Sequence, residues 1–194
     1  MRLGAVVPAA GRSRRMGREK ILLPFGKDTM LETVLGKLSA AEVERTVVVL
    51  RPDFPEAQRR ALAAGAVVVV NPEPDEEMLV SIRLGIAALV ASVDAFFVWP
   101  ADHPAVRPAT LRELAARASR ELAVIPVFSS RRGHPAILGV DLAPDVERIP
   151  PEEGLRRLWR TRADAVRELA VEDPGILENL DDPETYERAL RRHL

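Results

Sequence analysis

The sequence predicts an α/β fold in which a mostly parallel, Rossmann-like sheet lies between two layers of helices. Two observations support this class. Short apolar runs rich in valine alternate with helix-like segments along nearly the whole chain. These runs also lack polar alternation, which is typical of parallel strands that are buried on both faces. We therefore expect one three-layer α/β/α domain spanning residues 1–194.

The composition limits the classes of function. A chain of 194 residues suits one domain with a substantial core, and its formal net charge of −1 argues against a nucleic-acid binder. The chain has no cysteine, which excludes disulfides and thiolate zinc sites. No apolar stretch approaches the roughly 20 residues of a membrane span, and the first apolar run lacks the pattern of a signal peptide. We therefore expect a cytoplasmic protein that does not bind a membrane.

Seven runs are predicted as strands. Pro8 ends the first run and Pro100 ends the fourth, because proline has no N–H group to donate to a sheet. The last run, residues 165–171, alternates less cleanly than the others. The predicted strands are residues 3–7, 46–50, 66–70, 95–98, 121–127, 136–138 and 165–171.

Five helices and one broken helical segment are predicted between and after the strands. Thr29 is followed by Glu32 in the capping-box pattern, which predicts the start of the first helix. Gly65 closes the second helix and Pro108 opens the fourth. The predicted helices are residues 29–41, 56–64, 77–91, 108–119 and 183–192, with prolines and Gly154 interrupting residues 139–160.

The loop after the first strand is predicted to bind a polyphosphate. It combines small residues, which let a ligand approach the backbone, with five cations against one acid, Glu19. The loop is not a Walker A motif, because Gly17 is followed by arginine, and it lacks the Rossmann glycine spacing. Lys20 is one of three lysines, with Lys27 and Lys37, in an arginine-rich chain. The five cations are Arg12, Arg14, Arg15, Arg18 and Lys20.

The remaining pattern in this loop is G-x-S-x-R-M-G-x-x-K, formed by Gly11, Ser13, Arg15, Met16, Gly17 and Lys20. It resembles the signature loop of the MobA-like nucleotidyltransferases, in particular the molybdenum cofactor cytidylyltransferase branch. The resemblance implies the fold of the nucleotide-diphospho-sugar transferases. It also implies CTP and Mg²⁺ as ligands, and a phosphorylated acceptor such as molybdopterin. Transient docking to a molybdoenzyme or its chaperone is a further expectation. Other segments that carry the resemblance are residues 22–24, 81–85, 101–104, 132–135 and 179–184.

Two aspartates are candidate ligands for Mg²⁺, which prefers oxygen ligands. Asp102 lies between prolines after a buried strand, at the sheet edge where open α/β folds bind ligands. Asp181 also follows an apolar segment, but sequence spacing leaves its distance from Asp102 open. The resemblance assigns the metal to Asp102 and Asp181. Asp182 replaces a threonine of the family motif, so the choice between Asp181 and Asp182 stays open, and either could instead cap the last helix.

The resemblance also implies roles for other residues. Lys20 and Arg15 would stabilise the charge that develops on the α-phosphate, beside Asp102 as the third catalytic residue. Arg132 and His134 would bind the acceptor. The Ala10 methyl group would narrow the base pocket against a purine, which makes CTP the first choice and GTP the second. The expected nucleotide-binding residues are Ala9, Ala10, Gly11, Ser13, Lys20 and Ser81.

Several alternatives remain at this point. Methylerythritol phosphate cytidylyltransferases share a Val-Val-Pro-Ala-Ala-Gly start, which occurs here at residues 6–11. Their Asp-Ala-Ala-Arg-Pro and Gln-Thr-Pro-Gln elements do not occur in this sequence. A guanylyltransferase and a sugar-phosphate nucleotidyltransferase are further options. A nucleotide-binding module without catalytic activity is the alternative from a different class.

Overall fold

The computed structural model describes residues 1–75 and 77–193. Its main sheet has the strand order β10-β7-β9-β6-β1-β4-β5, with β8 paired to β7, while β2 and β3 form a separate hairpin. The strands are β1 Leu3–Pro8, β2 Pro24–Phe25, β3 Asp28–Thr29, β4 Arg45–Leu50, β5 Val67–Val70, β6 Ala95–Val98, β7 Ala123–Phe128, β8 Arg131–Arg132, β9 Ala136–Gly139 and β10 Val166–Ala170.

Most strands of the main sheet run in the same direction, as predicted. β1 pairs in parallel with β4 and β6, β4 with β5, and β7 with β10. β9 is antiparallel to both of its neighbours, β6 and β7, and β8 is antiparallel to β7. The sheet is therefore mixed but mostly parallel.

The helices are α1 Met30–Ala40, α2 Pro55–Ala63, α3 Met78–Leu89, α4 Pro108–Ala115, α5 Ala143–Glu147, α6 Leu158–Thr161 and α7 Pro183–His193. Thr29 and Glu32 form the predicted capping box at the start of α1. The predicted end of α4 at residue 119 is wrong. After Ala115 the backbone continues in tighter turns, and the Ser119 hydroxyl accepts the N–H of Leu122 at 3.1 Å, which leads the chain into β7. None of these helices combines the length and the apolar composition needed to cross a bilayer.

Two apolar clusters cover the two faces of the sheet. Successive residues of a strand point to opposite faces, so Val6 joins one cluster while Val7 joins the other. The cluster that contains Val7 is built with α1, α2 and α4. The cluster that contains Val6 is built with α3, α5 and α6. This arrangement confirms the predicted three-layer architecture.

The carboxyl ends of the parallel strands meet at one edge of the sheet. The loops after β1, β4, β5 and β6 therefore start at this edge. Because β9 runs the opposite way, the segment that precedes it reaches the same edge. Residues from these five segments thus converge at one end of the molecule.

The close packing of α3 on β1 yields a prediction. A Cβ atom added at Gly85 would lie 2.3 Å from Cγ1 of Val6, whereas one added at Gly36, on the exposed side of α1, would meet nothing within 4 Å. We expect Gly85→Ala to lower the free energy of unfolding by about 1–3 kcal/mol. We expect Gly36→Ala to raise it by roughly 0.5–1 kcal/mol, because alanine favours the helix. Urea unfolding of both variants measures the difference, and an unchanged Gly85→Ala midpoint would contradict the packing.

Candidate active site

Lys20 lies between two carboxylates at the edge of the sheet. Its Nζ donates to Oδ2 of Asp102 at 2.6 Å and also to Oδ1 of Asp181. The other oxygen of Asp181 accepts from Arg15 at 2.7 Å and from Asn179 at 2.8 Å. Residues that are far apart in sequence therefore form one cluster of two cations and two anions.

Burial and charge act in opposite directions on this cluster. Burial on its own lowers the pKa of Lys20, but Asp102 and Asp181 outweigh it, so the pKa lies above its ordinary value. Burial also opposes ionisation of Asp102, yet the attraction of His103 and Lys20 lowers the pKa of that carboxyl group. The Lys20–Asp102 ion pair is therefore fully charged at neutral pH.

The signature loop presents Lys20 through a specific backbone path. Ser13 lies in the left-handed region with φ 48°, and its hydroxyl accepts the N–H of Lys20 at 3.2 Å. Gly17 ends the short 3₁₀ turn with φ 65°, a conformation that favours glycine. Met16 is buried in a small apolar cluster with Ala105 and Leu180. The methionine of the signature thus anchors the loop next to the segments that carry both aspartates.

Sequence reasoning missed Arg51, which follows β4 at the same edge. Its side chain is 4% exposed, donates to the carbonyl of Gly11 at 3.2 Å and pairs with Glu19. Its Nε lies 2.9 Å from Asp53, and its guanidinium lies 3.9 Å from the centre of the Phe54 ring. A charged residue directly after a buried strand of a parallel sheet was the available signal. Arg51 holds both ends of the signature loop.

Two of the loop cations are less available to an anion than the sequence suggested. Arg12 pairs with Asp53 at 3.2 Å and with Asp75 at 3.0 Å. Arg15 pairs with Asp181. The chain has almost no net charge, and these acids from neighbouring loops neutralise part of the basic loop. Lys20, by contrast, lies in the cleft with 15% of its side chain exposed.

A cavity of about 200 Å³ extends from Lys20 along the signature loop. Its lining includes five of the six residues predicted to bind the nucleotide: Ala9, Ala10, Gly11, Lys20 and Ser81. A Cβ atom at Gly11 would meet nothing within 4 Å, so the backbone there is open to a ligand. Ser13 does not line this cavity. Its hydroxyl instead accepts the N–H of Lys20 within the signature loop.

Asn71 is a second residue that sequence reasoning missed. It is 1% exposed, and its Nδ2 donates to the Ser81 hydroxyl at 3.0 Å while its Oδ1 accepts the N–H of Glu73 at 2.9 Å. Because the Ser81 oxygen accepts this bond, its own proton remains available to a ligand in the cavity. Asn71 also joins the loop after β5 to α3.

A second cavity, of about 280 Å³, lies next to the first. Met78 and Pro100 line both cavities, and the two predicted acceptor-binding residues, Arg132 and His134, line the second. The rings of His134 and His103 lie 4.7 Å apart between the second cavity and Asp102. Burial, with a smaller contribution from His103, lowers the pKa of His134 to about 4. His134 is therefore neutral near pH 7 and suits hydrogen bonding better than ion pairing.

The donor set around Lys20 fits a hard divalent cation. Oδ1 of Asp102 is buried and has no hydrogen-bond partner among the described residues, and Asp181 meets the same lysine. The described residues contain no group of three or more His, Cys, Asp or Glu side chains that could hold a metal. Mg²⁺ typically binds through one or two carboxylates and completes its shell with water and phosphate oxygens. Two aspartates are therefore enough to bind Mg²⁺ together with water and phosphate oxygens. They are too few for a site in which the protein supplies all of the metal ligands.

The structure separates the two adjacent aspartates. Asp181 faces Lys20, whereas Oδ1 of Asp182 accepts the N–H of Thr185 at 2.9 Å at the start of α7. Asp182 thus caps the last helix, and Asp181 belongs to the cluster. Of the predicted residues, Lys20, Arg15, Asp102 and Asp181 are brought into contact, while Arg132 and His134 lie at the neighbouring cavity. Their chemical roles stay predictions.

Comparison with known proteins yields a matching family model and several similar proteins. A family model described as a MobA-like NTP transferase domain matches residues 5–166. The 2-C-methyl-D-erythritol 4-phosphate cytidylyltransferase of Frankia casuarinae is 31% identical, over 95% of this chain and 72% of that protein. The bifunctional enzyme IspD/IspF of Clavibacter michiganensis is 33% identical, but the match spans 36% of its length and 77% of this chain. The molybdenum cofactor cytidylyltransferase of Escherichia coli is 22% identical, over 98% of this chain and 97% of that protein.

Solved structures share the fold along nearly the whole chain. A nucleotidyl transferase from Methanothermobacter thermautotroptrophicus has a TM-score of 0.86 and 26% identity, and the match covers 99% of this chain and 97% of the other. Rv0371c from Mycobacterium tuberculosis, solved as a complex with manganese, has a TM-score of 0.82 and 25% identity, covering 98% and 99% of the two chains. These likenesses confirm the predicted family and the predicted fold.

The ion cluster predicts a pH-dependent effect of removing Lys20. In the wild type, Asp102 stabilises the fold above its unfolded pKa, and this contribution is lost as the pH falls through the lowered folded pKa. In Lys20→Met, Asp102 would stay buried without the attraction of the lysine, which raises its pKa, so ionised Asp102 would destabilise the variant. We expect a loss of about 3 kcal/mol in the free energy of unfolding at pH 7, and a smaller loss near pH 4.

Urea unfolding between pH 4 and 8, with a chelator present, measures this effect. Lys27→Met is the matched control, because Lys27 is exposed in the turn between β2 and β3. If the free energy of unfolding of Lys20→Met differs from that of the wild type by the same amount at every pH, the ionisation of Asp102 does not depend on Lys20.

Proposed function

This chain belongs to the MobA-like NTP transferase family, and from that premise we propose that it transfers CMP from CTP to a phosphorylated acceptor such as molybdopterin. The observation that carries the proposal is the contact of Lys20 with both Asp102 and Asp181 at the mouth of a cavity lined by the signature loop. A protein that only binds a nucleotide would need the cavity but not the cluster of Lys20 with two carboxylates. Sites of phosphoryl transfer combine carboxylates that hold Mg²⁺ with a lysine that binds phosphate, and this cluster has both kinds of group.

The first cavity is the proposed nucleotide site. The backbone at Ala9, Ala10 and Gly11 would bind the nucleoside, and the Ser81 hydroxyl would donate a hydrogen bond to the base. Ala10 is 5% exposed and lines the cavity, where its methyl group would limit the space for the base and favour the smaller cytosine over guanine. The Lys20 ammonium would bind the α-phosphate and offset the negative charge that develops there. Arg15 would also bind the phosphates if its ion pair with Asp181 breaks.

Asp102 and Asp181 would hold Mg²⁺, which supplies charge neutralisation at the phosphates when it is bound. The free Oδ1 of Asp102 supports this assignment, as does the manganese complex of the similar protein from Mycobacterium tuberculosis. The acceptor's phosphate oxygen would form a bond to the α-phosphorus. The bond from that phosphorus to the bridging oxygen of the β-phosphate would break, which releases pyrophosphate. A phosphate monoester is already an anion near pH 7, so neutral His134 need not act as a base.

The second cavity is the proposed acceptor site, and its chemistry favours a ring over a polyol. Its walls are mostly apolar, with Ile82, Ile125, Leu155 and Trp159 among them, and its cationic groups are Arg132 and Arg156. A polyol phosphate would leave hydroxyl groups unpaired against such walls, which costs binding energy. Trp159, which also lines this cavity, would instead provide an aromatic surface for a planar ring.

The second candidate is a 2-C-methyl-D-erythritol 4-phosphate cytidylyltransferase, which two relatives at 31% and 33% identity favour. The apolar second cavity counts against that acceptor, and so does the absence of its sequence elements around Asp102. Both candidates use CTP, so only the acceptor separates them.

A pyrophosphate-release screen tests the proposed function. Each nucleoside triphosphate is combined with molybdopterin, 2-C-methyl-D-erythritol 4-phosphate and sugar phosphates, with Mg²⁺ or a chelator. We expect release with CTP, Mg²⁺ and molybdopterin, and a fall of about 10²–10³-fold for Asp102→Asn because that group loses its charge. Lys27→Met should behave as the wild type. Release with the erythritol phosphate alone would support the second candidate, and CTP binding without any release would support a non-catalytic module.

Replacement of Trp159 tests the acceptor cavity separately. We expect Trp159→Ala to raise the KM for a ring-bearing acceptor by roughly 10-fold, because a stacking surface is lost, and to leave the KM for CTP unchanged. Trp159→Phe keeps an aromatic face and should retain most of the affinity. Steady-state kinetics with each substrate varied in turn measures both constants, and equal changes in the two would contradict the assignment.

A further inference from the structure

We propose that Lys37 and Asp173 are positioning residues that together set the spacing of Asp102 and Asp181. Neither residue touches the cavities described above. Each instead holds the backbone of a loop that carries one of the two aspartates. The inference rests on the proposed function only where it concerns metal binding and turnover.

Lys37 holds the loop that follows Asp102. It lies on α1, and its Nζ donates to the carbonyl oxygens of Pro104 at 2.5 Å and Val106 at 2.8 Å. Proline has no N–H group, so the turn around Pro104 cannot be closed by a ladder of backbone bonds. A flexible lysine with three donors can satisfy two carbonyls at once, whereas methionine, which has a similar length, has no donor.

Asp173 holds the same loop from the other side. Its side chain is almost fully buried, and Oδ2 accepts the Arg107 N–H at 2.8 Å and the Thr110 hydroxyl at 2.6 Å. Its Oδ1 accepts the N–H of Gly175 at 2.9 Å, at the start of the segment that leads to Asp181. One carboxylate therefore links the loop after β6 to the segment after β10.

The two segments then run side by side up to the aspartates. A Cβ atom at Gly175 would lie 2.5 Å from the carbonyl oxygen of Ala105, so the backbones approach closely there. Further along, the N–H of Leu180 donates to the carbonyl of Asp102 itself at 3.0 Å. Asp181 is the next residue. We call these two paired segments, residues 102–107 and 173–181, the seam. The seam sets the relative position of the two carboxylates, and Lys37 and Asp173 bind the end of the seam that lies away from them.

The charges of the two residues also favour a common role. Burial lowers the pKa of Lys37, and the negative charge of Asp173 opposes that shift. Removal of either charge would leave backbone groups of the seam without partners in a buried environment, which favours local rearrangement. A small displacement of either aspartate is enough to impair a metal-dependent reaction.

The experiment compares Lys37→Met, Asp173→Asn and the double variant with wild type, and uses Lys27→Met as the matched control. Hydrogen exchange measures the seam directly and needs no substrate. We expect faster exchange in peptides covering residues 99–107 and 173–181, and unchanged exchange in β1, β4 and α3. We expect the Kd for Mn²⁺ with CTP to rise about 10–100-fold, with a similar fall in kcat, while CTP binding without metal stays within about 2-fold.

The double variant tests whether the two residues act as one unit. If they do, its losses in Mn²⁺ affinity and kcat will be smaller than the two single losses combined. Independent, additive losses would overturn the common role.

Two further results would overturn the proposal. One is unchanged exchange in both seam peptides of a folded variant. The other is an equal loss of metal binding, metal-free CTP binding and global exchange protection, which a general loss of stability would produce. If wild type binds no Mn²⁺ with CTP, the proposed function fails, and the exchange pattern still decides the role of Lys37 and Asp173.

Discussion

The contact of the Lys20 ammonium with Asp102 and Asp181 is the interaction on which the rest of the site depends. Two carboxylates that are mostly shielded from water repel each other, and a cation between them removes that repulsion. The residues come from three loops, so their contact also fixes how those loops lie relative to one another. The cleft is therefore assembled before any ligand enters it.

The direction of the strands explains why these loops meet. Parallel strands deliver Lys20, Arg51 and Asp102 to one edge of the sheet, because each follows the carboxyl end of its strand. The antiparallel strand β9 brings His134 to the same edge from the opposite direction. The first cavity, which we propose for the nucleotide, and the second cavity consequently lie side by side, as a transfer between two substrates requires.

A set of buried polar residues holds these loops in place. Loops at a sheet edge lack the regular hydrogen bonds of strands and helices, so their backbone groups need other partners. Arg51 supplies them for the signature loop, Asn71 for the loop after β5, and Lys37 with Asp173 for the loops that carry the aspartates. Each is buried or partly buried and lies outside the lining of both cavities. Together they supply hydrogen-bond partners to backbone groups of the loops that form the cleft.

The sequence by itself determined the fold class, the order of most elements and the signature loop. Strand runs, the Thr29–Glu32 cap and the glycine-arginine pattern are local features, so they can be recognised without coordinates. Only the tertiary structure decided that Asp181 rather than Asp182 faces Lys20, and that Arg51 supports the signature loop. These contacts join residues separated by tens to more than a hundred positions, and charge alone does not indicate which partners will meet. Local sequence specifies the elements, whereas long-range packing selects the contacts between their loops.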